Sequence, residues 1–226
     1  MGYNNSLAFD GSSFLIGAII YLLAIKDVKI LKPNVKNTDD RHGGTLKSNK
    51  QFKSLCVLYI VVALITNLEE PIIFNYLSIE RHFSQNTIGV ALSLFSLGMF
   101  IGSFLIKYID FKSTGVFSKF MILDGVFSIL LSLNISKFLI VVFYFVQGVF
   151  AMLMIIFFKI YAQSQYEDAV EFAIFNNEFS KKTSIASILS YTLAILLSIS
   201  LKESSLIFKA MGGIEILVAM IYLCKF

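Results

Sequence analysis

Charge and proline are what this 226-residue chain has least of: charged residues make up 15% of it and proline occurs 2 times. A soluble domain carries about 25% charged residues, so a water-facing shell on every side is excluded. Cysteine is equally scarce. Cys56 and Cys224 fall near the ends of apolar stretches, without a partner at metal-ligand spacing. They read as buried structural thiols rather than as a disulfide or a metal framework. His42 and His82 stand alone in polar connections and read as solvated loop side chains. No phosphate loop, nucleophile elbow, zinc helix or dinucleotide fingerprint occurs, and Gly43-Gly44 lacks the strand and helix that a phosphate loop requires. Enzymatic activity has no residues to rest on, and neither a cofactor nor a metal is expected.

What the chain has is apolar length. Hydrophobic residues reach 57%, phenylalanine alone numbers 23, and the mean hydropathy is +0.77, against about 45–50% apolar residues in a soluble domain. Seven continuous apolar stretches stand out, near 7–25, 55–78, 87–106, 117–134, 138–158, 183–201 and 205–224. About 20 apolar residues rising ~1.5 Å each suffice to cross a bilayer as a helix. Continuity, rather than alternation over about ten residues, excludes a membrane β-barrel. The expected fold is therefore an all-α integral membrane protein with seven transmembrane helices. Two separators are long. The one at 26–53 is polar and basic; the one at 160–182 mixes charges with Tyr161, Phe172 and Phe175, and reads as a connection running into an amphipathic start of the sixth stretch.

Basic residues orient this layout. Of the 19 lysines and arginines, only Arg81, Lys137, Lys202 and Lys209 fall on one side, leaving 15 on the other. The positive-inside rule then places 26–53 and the C terminus in the cytoplasm and the N terminus outside, as a multi-pass protein of the cell membrane. The net charge of +4 belongs to these loops, so no nucleic-acid partner is expected; the lipid bilayer is. The first stretch has no basic residues before it, carries Asp10, and is continuously apolar only from Phe14 to Ile25. It makes a poor signal peptide, and Met1 reads as the beginning of a piece of a protein.

The most telling residues are Glu69-Glu70-Pro71, inside the stretch from Leu55 to Leu77. An acidic residue near a membrane-helix centre costs roughly 2.5–3.5 kcal/mol on insertion scales. Pro71 also removes the hydrogen bond that the Asn67 carbonyl would accept, so a break in the helix is expected there. A helix that only anchors needs neither feature; one that lines a polar pathway uses both. Adjacent helical residues point about 100° apart, and Glu70 shares a stripe with Thr66 and Asn67, which makes it the expected inward group, with Glu69 beside it. Such a carboxyl can carry a proton or attract a cationic solute. Gln147, with Tyr144 one turn before it, is the next candidate for solute contact. Glu215 lies mid-stretch and Asp124 about a turn inside from Lys119; packing and proximity to the interface are their simpler readings. Gly98 and Gly102 form a small-xxx-small pair for close helix packing.

The order of several short motifs adds to this. Asn5 to Ile16, reading NSLAFDGSSFLI, is followed by the long basic connection, then by Asn67-Leu68-Glu69-Glu70-Pro71-Ile72 with Asn75-Tyr76-Leu77. After these come Thr87-Ile88-Gly89-Val90-Ala91-Leu92 and Gly98-Met99-Phe100-Ile101-Gly102. This succession resembles the later part of a major facilitator superfamily transporter, from its sixth to its twelfth helix, and is most similar to the drug-efflux branch that includes macrolide exporters. The resemblance implies a helix equivalent to the family's sixth at 1–25, a cytoplasmic linker at 26–53 and a six-helix carboxyl-terminal half at 54–226. It also implies that Gln147 stands on a cavity helix and Glu215 on a peripheral one. Two departures stand beside it. Ile106 occupies the place of the leading glycine in the turn that holds Asp110, Lys112 and Gly115, and the family's first five helices have no counterpart in this sequence.

The function so implied is proton-coupled efflux of a small, drug-like solute, by a partial transporter completed by a separately encoded amino-terminal half. Two other classes fit the helical layout: a non-transporting multi-span protein acting as an immunity or interaction partner, and the membrane subunit of an ATP-driven exporter, with Glu167 to Phe179 as its coupling helix.

Overall fold

Serines open two of the helices. In the computed structural model, which describes residues 50–109, 113–166, 168–200 and 204–225, Ser84 Oγ accepts the Thr87 N–H at 3.3 Å. Ser136 Oγ accepts the Leu139 N–H at 3.4 Å; each satisfies a donor that the first helical turn leaves unpaired. Six helices follow one another: α1 Lys50–Asn75, α2 Gln85–Leu105, α3 Gly115–Leu131, α4 Lys137–Gln163, α5 Ala169–Ser200 and α6 Ser204–Lys225. They stand where six of the seven apolar stretches place them. The first stretch, at 7–25, and the connection up to residue 49 lie outside the described residues, as do Asp110 and Lys112. All described residues belong to one unit, Lys47–Phe226.

Four of these helices are long and apolar enough to cross a membrane: Lys50–Glu80, Gln85–Tyr108, Lys137–Gln163 and Ser204–Lys225. The sequence reading assigned a span to each of the six. Helix α3 has 17 residues, about 26 Å at 1.5 Å per residue, which is short of a hydrocarbon core of ~30 Å. Helix α5 has the length, 32 residues, but its first half carries Glu171, Glu178, Lys181 and Lys182.

That first half also corrects the long connection expected at 160–182. Helix α4 runs on to Gln163 and α5 already starts at Ala169. Phe172, Phe175 and Phe179 recur at helical spacing and supply the missing cohesion. Phe175 lies 5.4 Å from Phe52 and 5.2 Å from Tyr166, and Phe179 stacks at 4.9 Å on Phe158, which stacks at 4.0 Å on Tyr59. These rings bind the start of α5 to α1 and α4, while Glu178 and Lys181 pair at 2.6 Å on the exposed face. Phe179→Ala should cost about 3–5 kcal/mol and release this turn first. Amide hydrogen exchange is expected to accelerate across 169–182 and to stay unchanged in α6.

The backbone also departs from expectation at Pro71. No break occurs there; α1 continues to Asn75, and the irregularity is a π-helical turn at Tyr76–Glu80. Leu68, Ile72, Ile73, Tyr76 and Leu77 are all buried around the proline, so packing on several sides outweighs one missing hydrogen bond. The π turn is fixed from outside: Tyr76 Oη donates to the Leu131 carbonyl, and the two Glu80 carboxylate oxygens accept the Ser204 and Ser205 N–H groups. A carboxylate at the start of α6 also complements that helix's positive end. Arg81 donates to Asn134 Oδ1 at 2.9 Å, and Lys137 to the His82 carbonyl at 2.7 Å. One end of the bundle is thereby closed.

The helices run alternately up and down and pair as α1 with α5, α2 with α4 and α3 with α6, with lesser contacts of α3 with α4 and of α1 with α6. Exchanging the first three helices for the last three leaves this pattern unchanged. Because each triplet has an odd number of helices, its counterpart has the opposite direction. Glycines set two of the main pairings. A Cβ on Gly98 would stand 2.1 Å from the Phe145 carbonyl oxygen and one on Gly148 2.3 Å from that of Phe95, which locks α2 to α4. Gly125 and Gly212 meet in the same reciprocal way between α3 and α6, at 2.7 and 2.4 Å from each other's carbonyl.

Candidate functional site

Between α1, α2 and α4 lies a cleft of ≈ 390 Å³, into which Thr66, Glu69, Glu70, Phe95, Met99 and Tyr144 face. That volume is within the usual range of small-molecule sites, about 300–1,000 Å³. The wall is mainly apolar and aromatic, with Tyr144 stacked on Phe95 at 4.6 Å, and its charged groups both come from α1.

Glu69 is tied to two other helices. Its Oε1 accepts the Ser128 hydroxyl of α3 at 2.5 Å, and its Oε2 accepts the Gln147 Nε2 of α4 at 3.0 Å. Two donors from different helices hold the carboxyl in one orientation at the inner edge of the cleft. Glu70 is exposed, and its Oε2 accepts the Tyr191 hydroxyl of α5 at 2.6 Å. The 100° between adjacent helical positions is visible here, although both side chains reach the cleft. Glu69, rather than Glu70, is the one drawn into the bundle. The reason is α3 and α4, which bring Ser128 and Gln147 to the Glu69 side.

Of the other candidates, Thr66 and Tyr144 line the cleft with the two glutamates, and Gln147 holds Glu69. Asn67 does not join them. Its Nδ2 donates to the Ala63 carbonyl at 2.5 Å and to Ser187 Oγ of α5 at 3.0 Å, so it serves the α1–α5 contact. Ser190 Oγ, 2.7 Å from the Leu64 carbonyl, reinforces that contact.

Two acids, Asp124 read from the sequence as close to the interface and Glu215 as packing on a peripheral helix, are deeply buried. Asp124 is 3% exposed and Glu215 1%. Helix α3 starts at Gly115, which puts Asp124 past its midpoint instead of near an interface. The Gly125–Gly212 contact brings α6 against it, so that the Glu215 Cβ lies 3.1 Å from where a Cβ of Gly125 would be. Among the described residues neither acid has a basic partner. Both Glu215 carboxyl oxygens and Asp124 Oδ1 lack a hydrogen-bond partner, as does Gln147 Oε1. The signal that could have found these acids was the one used for Glu69, a carboxyl in the middle of an apolar run. Among the described residues no cluster of His, Cys, Asp and Glu has metal-binding geometry. Comparison with protein-family models, with curated proteins and with solved structures found no match to the chain.

Proposed function

We propose that this is the carboxyl-terminal half of a facilitator-type membrane transporter, and that its cleft forms one wall of a pathway for proton-coupled export of a drug-like solute. The observation that carries the reading is Glu69: a mid-helix carboxyl, oriented by two hydrogen bonds, where a cleft of ligand size meets the bundle interior. An apolar aromatic wall with a carboxyl at its end suits an amphiphilic cation. Exchange follows if the same carboxyl holds either a proton or the solute's positive charge, but not both.

Architecture supports the same reading. Six helices whose contacts survive exchange of two oppositely directed triplets have the pattern of the 3+3 inverted repeats within each half of facilitator transporters, where solute binds near the midplane between halves. The cleft opens on one side, and a second six-helix unit would supply the facing wall. The excess of basic residues around 26–53, 107–119, 159–182 and 225 supports a cytoplasmic location for those segments and the C terminus. Against an ATP-driven exporter subunit stands the stretch 169–179, which continues into α5 instead of forming a separate coupling helix.

The test is ligand binding by the full chain in lipid nanodiscs, with tetraphenylphosphonium as the probe. Binding should weaken about tenfold per pH unit on the acid side, as protons compete for one carboxylate. Absent binding, or binding indifferent to pH, would overturn the proposal.

A further inference from the structure

Glu69 is not the end of the acidic groups in this bundle. Asp124 and Glu215 lie behind it, 3% and 1% exposed, and their side chains come from two helices pressed together by reciprocal glycines. Three of their oxygens have no donor. Charged carboxylates left in that state would be strongly destabilising, and two of them side by side would repel. A proton removes the difficulty: the neutral acid carries no charge and supplies an O–H that the site otherwise lacks.

The surroundings offer no other remedy. From α1 the carboxyl drawn toward α3 is Glu69, which accepts the hydroxyl of Ser128, one turn after Asp124 on the same helix. Helix α4 brings Gln147, 3% exposed, to Glu69; its Nε2 is taken by Glu69 and its Oε1 has no partner. Helices α3 and α6 contribute Asp124 and Glu215 themselves, with Lys119 and Lys209 exposed toward their ends. The unfilled Gln147 acceptor is an independent sign, since it lies on a helix that carries none of the three acids and waits for a donor beside Glu69.

We propose that Asp124 and Glu215 form an enclosed proton-binding site between α3 and α6, reached from the cleft through Glu69. The pair holds one proton of its own, and Glu69 stands between it and the cleft. Glu69 keeps the Ser128 and Gln147 hydrogen bonds and can face a cation once its own proton has left to the cleft. This rests on the reading of the cleft as a transport pathway only for its purpose; the bound proton itself is independent of any solute.

The experiment is infrared spectroscopy of the purified full chain without solute. In the Glu69→Gln background a carboxylic-acid C=O absorption is expected at neutral pH, persisting when Glu70→Gln is added and lost when Asp124→Asn and Glu215→Gln are combined with it. If that variant does not fold, dicyclohexylcarbodiimide, which reacts with neutral buried acids, should label Asp124 or Glu215 in the unmodified protein, read by mass spectrometry. No acid band at neutral pH, a band that survives the double substitution, or labelling confined to other carboxyls would overturn the site. A band with no pH-sensitive solute binding would leave the proton site standing and remove the transport reading alone.

Discussion

Glu69→Gln should abolish the pH dependence of cation binding and lower the affinity at neutral pH by about tenfold or more, ~1.4 kcal/mol or above. The substitution retains the side chain's length and one oxygen to accept from Ser128 or Gln147, so insertion and folding should survive. What is lost is the charge, and with it the group for which proton and solute compete. Glu70→Gln is the comparison. Its carboxylate is exposed and meets one hydroxyl, that of Tyr191, so its removal should weaken binding less, because solvent screens it, and should leave the pH dependence in place. Equal loss in both variants would mean that the cleft attracts cations by general charge only. Equal retention would remove α1's carboxyls from the chemistry.

Glycine substitutions should divide into two groups of opposite sign. Gly148→Ala places a methyl 2.3 Å from the Phe95 carbonyl oxygen, and Gly98→Ala places one 2.1 Å from that of Phe145. Each new methyl meets backbone, which cannot rotate aside, so α2 and α4 must separate. A loss of about 3 kcal/mol or more is expected, seen as a much lower melting temperature in detergent and poor recovery of folded protein. Gly89 and Gly213 have nothing within 4 Å of such a methyl. Alanine there should stabilise the helix by about 0.5–1 kcal/mol, the difference in conformational entropy. If Gly148→Ala were as stable as Gly89→Ala, the α2–α4 contact would be looser than described.

How much of this was legible in the sequence depends on whether a feature is local or arises between helices. Six apolar stretches gave six helices because unbroken runs of apolar residues are a local signal. Helix α5's early start was half visible, in Phe172 and Phe175 among charges, but its cause is Phe52, Tyr59 and Phe158 on distant helices. Pro71 misled for the same reason: the lost hydrogen bond is local, while the packing that keeps α1 intact is not. Glu69 and Glu70 were both visible as costly residues. Which of them turns inward was decided by Ser128 and Gln147, 59 and 78 residues away in sequence. Asp124 and Glu215 each carried the same signal as Glu69. Their meeting required Gly125 and Gly212 to face one another, which no spacing within either helix announces.

The most direct test of proton-for-solute exchange is a proton count. Full chain in nanodiscs, in lightly buffered solution with a pH indicator, is mixed with saturating tetraphenylphosphonium on the acid side of neutral, where binding weakens about tenfold per pH unit. About one proton released per bound cation is expected, falling to none in Glu69→Gln. Stoichiometric binding with no proton release from the unmodified chain would contradict exchange at this carboxyl.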